Sequence, residues 1–226
     1  MIIDQPITHG IFCCEIKNRF RAMVLVEGEE KLCYVASSCR LSNFLELEGR
    51  EVLLLPAGEN SSRTDYTLFA AQHKNGYILL ELAAANAVIA DQIHRRYFSF
   101  LRKRTNVQRE KIVEGYKADL FIADTNTIVE IKTVISEEAS ARFPTVFSER
   151  GLEQLKKIEG LLDHGYKVCY LFASLCKATR CIEIDSETDF YIEFKNCVEK
   201  GMIYRACHLK TSEKNIEIDK MLPIKL

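Results

Sequence analysis

From residue 11 to about residue 82, apolar positions come in short runs broken by turn residues. The runs are GIFCCEIKN, RFRAMVLVEG, EKLCYVA, REVLLLP, DYTLFAA and GYILLEL. Asn18-Arg19, Glu27-Gly28-Glu29, Pro56-Ala57-Gly58 and Asn75-Gly76 separate them, and Asn-Gly is the sharpest hairpin signal among these. Five or six short strands in about 70 residues predict a small barrel. The OB-fold is the small barrel best known for binding oligonucleotides; an SH3-like barrel has similar spacing.

The pattern changes near residue 83. In LAAANAVIADQIHRRYFSFL, the positions Ala83, Val88, Ile89, Ile93, Tyr97, Phe100 and Leu101 follow helical spacing, which predicts one helix. SERGLEQLKKIEGLLDHG predicts another, with Ser148 as N-cap, Gly165 as stop and an apolar stripe of Leu152, Leu155, Ile158, Leu161 and Leu162. YKVCYLFAS reads as a fully buried strand. SETDFYIEFKNCVEKG reads as a helix ending at Gly201, and MIYRACHLK and NIEI as strands. The expected fold is α+β: a barrel over residues 1–82, then an α/β domain with a mixed sheet over 83–226.

Composition narrows the function classes. The net charge of −1 gives no bulk attraction for polyanions, so nucleic-acid binding requires a local basic patch. No apolar run reaches the length of a membrane-spanning helix and the N-terminus lacks a signal-peptide pattern; the expectation is a cytoplasmic protein with no membrane partner. Nine cysteines without a CxxC pair read as reduced, mostly buried thiols. There is no HExxH, P-loop or GxGxxG.

The chemistry concentrates between residues 110 and 132, EKIVEGYKADLFIADTNTIVEIK. Two apolar runs, KADLFIA and TIVEIK, flank the polar DTNT and predict a β-hairpin. With the turn centred on Thr125 and Asn126, Asp119 lies opposite Lys132 and Phe121 opposite Glu130. Asp119, Glu130 and Lys132 then share one face, the carboxylates as diagonal neighbours. Charges inside apolar strands are costly unless they are paired or hold a metal. Two carboxylates plus a backbone carbonyl, that of Ile131, suit Mg²⁺ or Mn²⁺. Such an ion would polarise a phosphodiester and activate water, with the lysine orienting that water or neutralising developing charge. The alternative is a solvated hairpin face with a Lys–Asp cross-strand pair.

Longer motifs surround this hairpin. Glu130-Ile131-Lys132-Thr133-Val134, Phe143-Pro144-Thr145-Val146 and Ser148-Glu149-Arg150-Gly151 resemble the signature of the sugar fermentation stimulation protein A (SfsA) family: E-V-K-S-V, F-P-D-A and T-E-R-G. REKIVEGYKADLFI resembles that family's R-E-V-x-Y-G-x-S-R-x-D-F, with Arg109, Glu110 and Asp119 matching. The resemblance implies an OB-fold followed by a PD-(D/E)XK nuclease-like domain, metal-dependent cleavage of DNA or RNA, and a link to regulating sugar-utilisation genes. It implies Asp119 and Glu130 as metal ligands, Lys132 as the catalytic lysine and Glu110 as an additional acid. The family's C-P-N-T-G stands here as Ala36-Ser37-Ser38-Cys39-Arg40, while Asn86 keeps register with a family Asn.

The densest basic cluster is His94-Arg95-Arg96 with Arg102, Lys103, Arg104, Arg109 and Lys111, the expected phosphate-contacting patch. Lys117 is a cation beside the expected carboxylates, and Arg150 sits at a helix N-terminus, a favourable place for phosphate. Lys17, Arg19, Arg21, Arg40 and Arg63, with Tyr34 and Tyr66, mark a single-strand groove on the barrel. The leading expectation is a nuclease. Its competitors are a non-catalytic DNA-binding regulator and a scaffold with a decayed site. A homodimer is compatible with the sequence, which does not define the oligomeric state.

Overall fold

The computed structural model describes residues 1–36, 39–58, 64–74 and 76–226. Asn75 of the expected Asn-Gly turn, Arg63, and Ser37-Ser38 lie outside the described residues. Strands β1 (Thr8–Glu15), β2 (Arg21–Val26), β3 (Glu29–Tyr34), β4 (Glu51–Pro56) and β5 (Tyr66–His73) coincide with the apolar runs. They pair antiparallel in the order β3-β2-β1-β4-β5. Parallel pairing of β3 with β5, Cys33 opposite Tyr66, closes the ring into a five-stranded OB-like barrel. Alternation sorts the side chains: Ala22, Val24 and Val26 point inward while Arg21, Met23 and Leu25 remain partly or fully exposed. Gly10 permits the close approach of β1 to β2, since a Cβ there would meet Val24 Cγ1 at 2.5 Å.

β6 (Gly76–Leu79) continues the barrel sheet from β5 and leads into α1 (Leu82–Gln92). Next come β7 (Val107–Arg109), a small hairpin of β8 (Ile112–Val113) and β9 (Tyr116–Lys117), β10 (Leu120–Ile122), β11 (Thr127–Val134) and β12 (Ser140–Phe143). Then follow α2 (Glu149–Asp163), β13 (Lys167–Ser174), β14 (Cys181–Ile184), α3 (Asp189–Glu199), β15 (Ile203–Thr211), β16 (Ile216–Leu222) and β17 (Ile224–Lys225). The second sheet runs β15-β13-β11-β10-β7, with β16 on β15, and Tyr77 of β6 opposite Thr211 of β15 joins it to the barrel sheet. β11, β13 and β15 are parallel and the hairpins antiparallel, so the sheet is mixed. The short strands β12, β14 and β17, which carry no strong sequence pattern, form a separate parallel sheet.

The mixed sheet is covered on both faces. Val129, Ile131, Cys169 and Leu171 share a core with α1 and the barrel. Ile128, Tyr170, Phe172 and Ala206 share one with Leu155 and Ile158 of α2 and Phe190 and Phe194 of α3. Burial on both sides explains why β13 reads as an uninterrupted apolar run. Ser148 caps α2 by accepting from the Gly151 amide at 3.1 Å, and Gly165 follows the helix at φ +84°. A charged contact also joins the barrel to the second domain. Glu137, just beyond β11, accepts from Arg50 at 2.5 and 3.1 Å and lies 2.6 Å from His73 Nδ1.

One expected element is shorter than its periodicity implies. The helix over 82–101 ends at Gln92, and Arg96–Leu101 forms a 3₁₀ segment after Arg95 turns extended. The Arg104 guanidinium occupies the break, donating to the carbonyls of Ile93 (2.7 Å), His94 (3.2 Å) and Arg95 (3.3 Å), and also to that of Arg102. Helix-end carbonyls need such partners, and this one arrives from a residue that the local pattern does not reveal. Five cysteines, Cys33, Cys169, Cys176, Cys197 and Cys207, are buried. Burial pushes the thiols of Cys33, Cys169, Cys197 and Cys207 up to about 12.

Candidate active site

The hairpin forms, but in a register two residues away from the expected one. Leu120 lies opposite Val129 and Ile122 opposite Thr127, so continuation of the ladder sets Asp119 opposite Glu130. The turn spans Ala123–Asn126, with Asn126 at φ +53°. A two-residue offset preserves which face each side chain occupies.

Unequal strand lengths create the site. β10 ends its pairing at Leu120, while β11 runs on to Val134. The overhang leaves main-chain groups of β11 without a strand partner on that side. Asp119 takes one of them: its Oδ2 accepts from the Ile131 amide at 2.7 Å. In a strand the N–H and C=O of one residue point to the same side, so the Ile131 carbonyl also faces this gap.

The remaining contacts are compact. Glu130 is 2% exposed. Its Oε1 accepts from Lys132 Nζ at 2.7 Å and its Oε2 from the Tyr116 hydroxyl at 2.5 Å. Lys132 Nζ also donates to Gln154 Oε1 at 2.6 Å and lies 5.9 Å from the centre of the Tyr170 ring. Asn86 of α1 donates to Asp119 Oδ1 at 3.4 Å. Burial, and then the nearby Glu130 charge, push the Asp119 carboxyl up to about 6, against the lowering effects of the Ile131 amide and Lys132. The same burial and the Glu130 charge keep the Tyr116 and Tyr170 hydroxyls protonated.

Two hollows meet at these groups. One, of about 870 Å³, is lined by Asp119, Glu130, Ile131, Lys132 and Tyr170, by the 143–148 loop, and by Arg19, Cys39 and Phe44 from the barrel side. The other, of about 530 Å³, is lined by Glu110, Tyr116, Lys117, Glu153 and Lys157. Asp119, Glu130, Arg150 and Gln154 line both. Arg150, Gln154 and Lys157 are spaced i, i+4, i+7 on α2. That polar stripe runs alongside the Leu155–Ile158 face, so its spacing is the signal that marks it as a surface bordering the core. Tyr116 and Tyr170 carry no comparable signal. They read as core aromatics, and only the fold shows where their hydroxyls lie.

Two family models match the chain: one described as "Sugar fermentation stimulation protein RE domain" over residues 83–215, the other as "SfsA N-terminal OB domain" over residues 16–80. The chain belongs to the SfsA family. A sugar fermentation stimulation protein homolog of Caldanaerobacter subterraneus is 30% identical over 175 residues, spanning 76% of each chain. That of Thermotoga petrophila is 29% identical over 165 residues, 73% of this chain and 70% of the relative. That of Clostridium botulinum is 24% identical over 232 residues and the full length of both. Among solved structures, "The structure of Pyrococcus Furiosus SfsA in complex with Ca2+" superposes with a TM-score of 0.84 at 20% identity, covering 100% of this chain and 98% of that one; at that identity the likeness is one of fold.

The SfsA-like segments Glu130–Val134, Phe143–Val146, Ser148 and Arg150-Gly151 line the larger hollow. The basic residues divide. Arg150 and Lys117 line the hollows, with Lys117 3.1 Å from Glu110. Arg95, Arg96, Arg102, Lys103, Arg104 and Arg109 line neither. Arg95, Arg96, Arg102 and Arg109 are exposed, Lys103 pairs with Asp124 at 3.4 Å, and Arg104 is engaged in closing α1. Arg40 donates to the carbonyls of Ile16 and Lys17 at 3.3 and 3.1 Å, bracing the barrel. No helix among the described residues is long and apolar enough to cross a membrane.

Proposed function

We propose that this SfsA-family chain is a divalent-metal-dependent nuclease that hydrolyses phosphodiester bonds in DNA or RNA. The observation that carries the reading is the meeting of Asp119, Glu130 and Lys132 at the β11 overhang: Asp119 accepts from the Ile131 amide, Glu130 accepts from Lys132, and both carboxylate residues line the same two hollows. These are hard oxygen donors, few in number, which suits Mg²⁺ or Mn²⁺ with water completing the shell. The raised Asp119 carboxyl fits a cation that relieves its repulsion with Glu130. The Ca²⁺ named for the Pyrococcus furiosus relative has the same preference for oxygen. Asp119, Glu130 and Ile131 would hold the ion. When bound, it supplies charge stabilisation on the phosphate and a more acidic water.

The chain's own groups do the rest. Gln154 and Glu130 hold the Lys132 ammonium in place, where it meets charge developing on the phosphate. Tyr116 fixes the Glu130 carboxylate, and Asn86 with the Ile131 amide fixes that of Asp119. Arg150 and Lys157 add positive charge beside the hollows for flanking phosphates.

The deciding experiment incubates single- and double-stranded DNA and RNA with Mg²⁺ or Mn²⁺ and compares wild type with Asp119→Ala and Lys132→Ala. Cleavage by wild type alone is expected; equal activity in all three overturns the reading. A second reading, a nucleic-acid-binding regulator that cuts nothing, draws on the exposed Arg95, Arg96, Arg102 and Arg109 outside the hollows. Retained binding without cleavage selects it.

A further inference from the structure

Tyr170 is wholly buried, yet its hydroxyl has no hydrogen-bond partner among the described residues. Buried polar atoms in native proteins are nearly always paired, so an unpaired one asks for a partner that binds there. Among the described residues two other buried side-chain atoms share this condition, His73 Nε2 and Thr211 Oγ1, and neither residue lines the cleft. Tyr170 does.

Its position follows from register. In the parallel pairing of β11 and β13, Glu130 lies opposite Tyr170, so the two side chains rise from the same face. The ring is held by aromatic neighbours, with centroids 5.2 Å from Phe172, 5.4 Å from Phe194 and 6.2 Å from Phe190. These neighbours are all phenylalanine, and packing alone would be met by phenylalanine at 170 as well. The nearby carboxylates take their donors from elsewhere, Glu130 from Tyr116 and Lys132 and Asp119 from Ile131 and Asn86, and neither takes one from Tyr170. The Tyr170 hydroxyl is thus a donor without an acceptor among the described residues, in a residue that lines the cleft.

We infer that the Tyr170 hydroxyl is a substrate-binding donor, giving a hydrogen bond to a non-bridging oxygen of the phosphodiester seated at Asp119, Glu130 and Lys132. This rests on the nuclease reading for the identity of the ligand. A neutral donor suits the place because Lys132 already supplies the charge, while the hydroxyl adds direction. The hydrogen bond forms with bound substrate and persists in the transition state.

Tyr170→Phe tests it with three measurements: melting temperature without metal, affinity for short DNA and RNA oligonucleotides in Ca²⁺, and kcat/KM in Mg²⁺ or Mn²⁺. The expected result is a melting temperature equal to or above wild type, affinity at least fivefold weaker, and kcat/KM at least tenfold lower. Wild-type affinity and kcat/KM in the variant overturn the inference. So does a lowered melting temperature, which would show the hydroxyl to be a structural partner. If wild type cuts nothing, the nuclease reading fails, and the affinity difference still decides the role of Tyr170. If wild type binds no oligonucleotide, both fall.

Discussion

The Ile131 amide donates to the Asp119 carboxylate across 2.7 Å, main chain to side chain, at the point where β10 stops and β11 continues. This contact ties the candidate site to the fold. Asp119 substitutes for the missing strand, and its half-buried carboxylate is held within reach of the Glu130 charge.

Burial of Asp119, and then the Glu130 charge, predict a pH dependence. The folded Asp119 carboxyl stands at about 6 against an ordinary 3.8, so the folded state binds this proton more tightly than the unfolded chain. Its contribution is fully present below about 3.8 and is lost as pH rises through about 6. The full shift corresponds to at most ~3 kcal/mol, and partial exposure reduces this to ~1–2 kcal/mol. Asp119→Asn should therefore melt higher than wild type above pH 6 in a chelator, and the difference should vanish near pH 4. Thermal melts across that range check it.

Metal binding should show the opposite trend. Protons compete for Asp119, so stabilisation by Mn²⁺ or Mg²⁺ should be strong at pH 7.5 and fade as pH falls below about 6. At a hundredfold excess over Kd the gain is ~2.7 kcal/mol. Glu130→Gln and Asp119→Asn should each abolish the metal-induced shift in melting temperature.

Tyr116 and Tyr170 sit beside the same carboxylates, and their phenylalanine variants should part company. Tyr116→Phe removes the donor to Glu130 Oε2 and leaves a buried carboxylate oxygen unpaired, at a cost of ~1–3 kcal/mol. Tyr170→Phe removes a hydroxyl that has no partner among the described residues and should cost nothing. Denaturant titration of both variants, in the absence of metal, measures the contrast.

Among the basic residues, Arg104 should behave unlike its neighbours. Arg104→Ala frees the carbonyls of Ile93, His94 and Arg95 and should destabilise the fold by ~1–2 kcal/mol. Replacing the exposed Arg95 and Arg96 by alanine should leave stability unchanged. If this patch meets phosphates, the double replacement lowers the salt dependence of nucleic-acid binding by about one unit of slope for each phosphate it ceases to neutralise. Binding titrations at several salt concentrations separate the two classes.

The strands of the barrel, the caps of α2 and the stop at Gly165 were legible from residues 11–82 and 148–165, because each depends on neighbours close in the chain. Asp119, Glu130 and Lys132 were legible as a group because two charges inside apolar strands violate the local pattern. The hairpin register was not, because strand alternation leaves an offset of two invisible: every side chain keeps its face. Arg104 and Arg40 were not, because their partners are main-chain carbonyls whose need depends on where a helix ends or a loop passes. Tyr170 was not, because an aromatic in an apolar run looks the same whether its hydroxyl meets a protein atom or a ligand.

By itself, then, the sequence determined the two-part α+β plan, the carboxylate and lysine set, and the family. All three rest on local periodicity and contiguous motifs. Tertiary structure alone decided that β11 outruns β10, that Tyr116, Asn86 and Gln154 brace the site, and which cations face the hollows. Those are contacts between elements far apart in the chain, set by packing on both faces of one sheet.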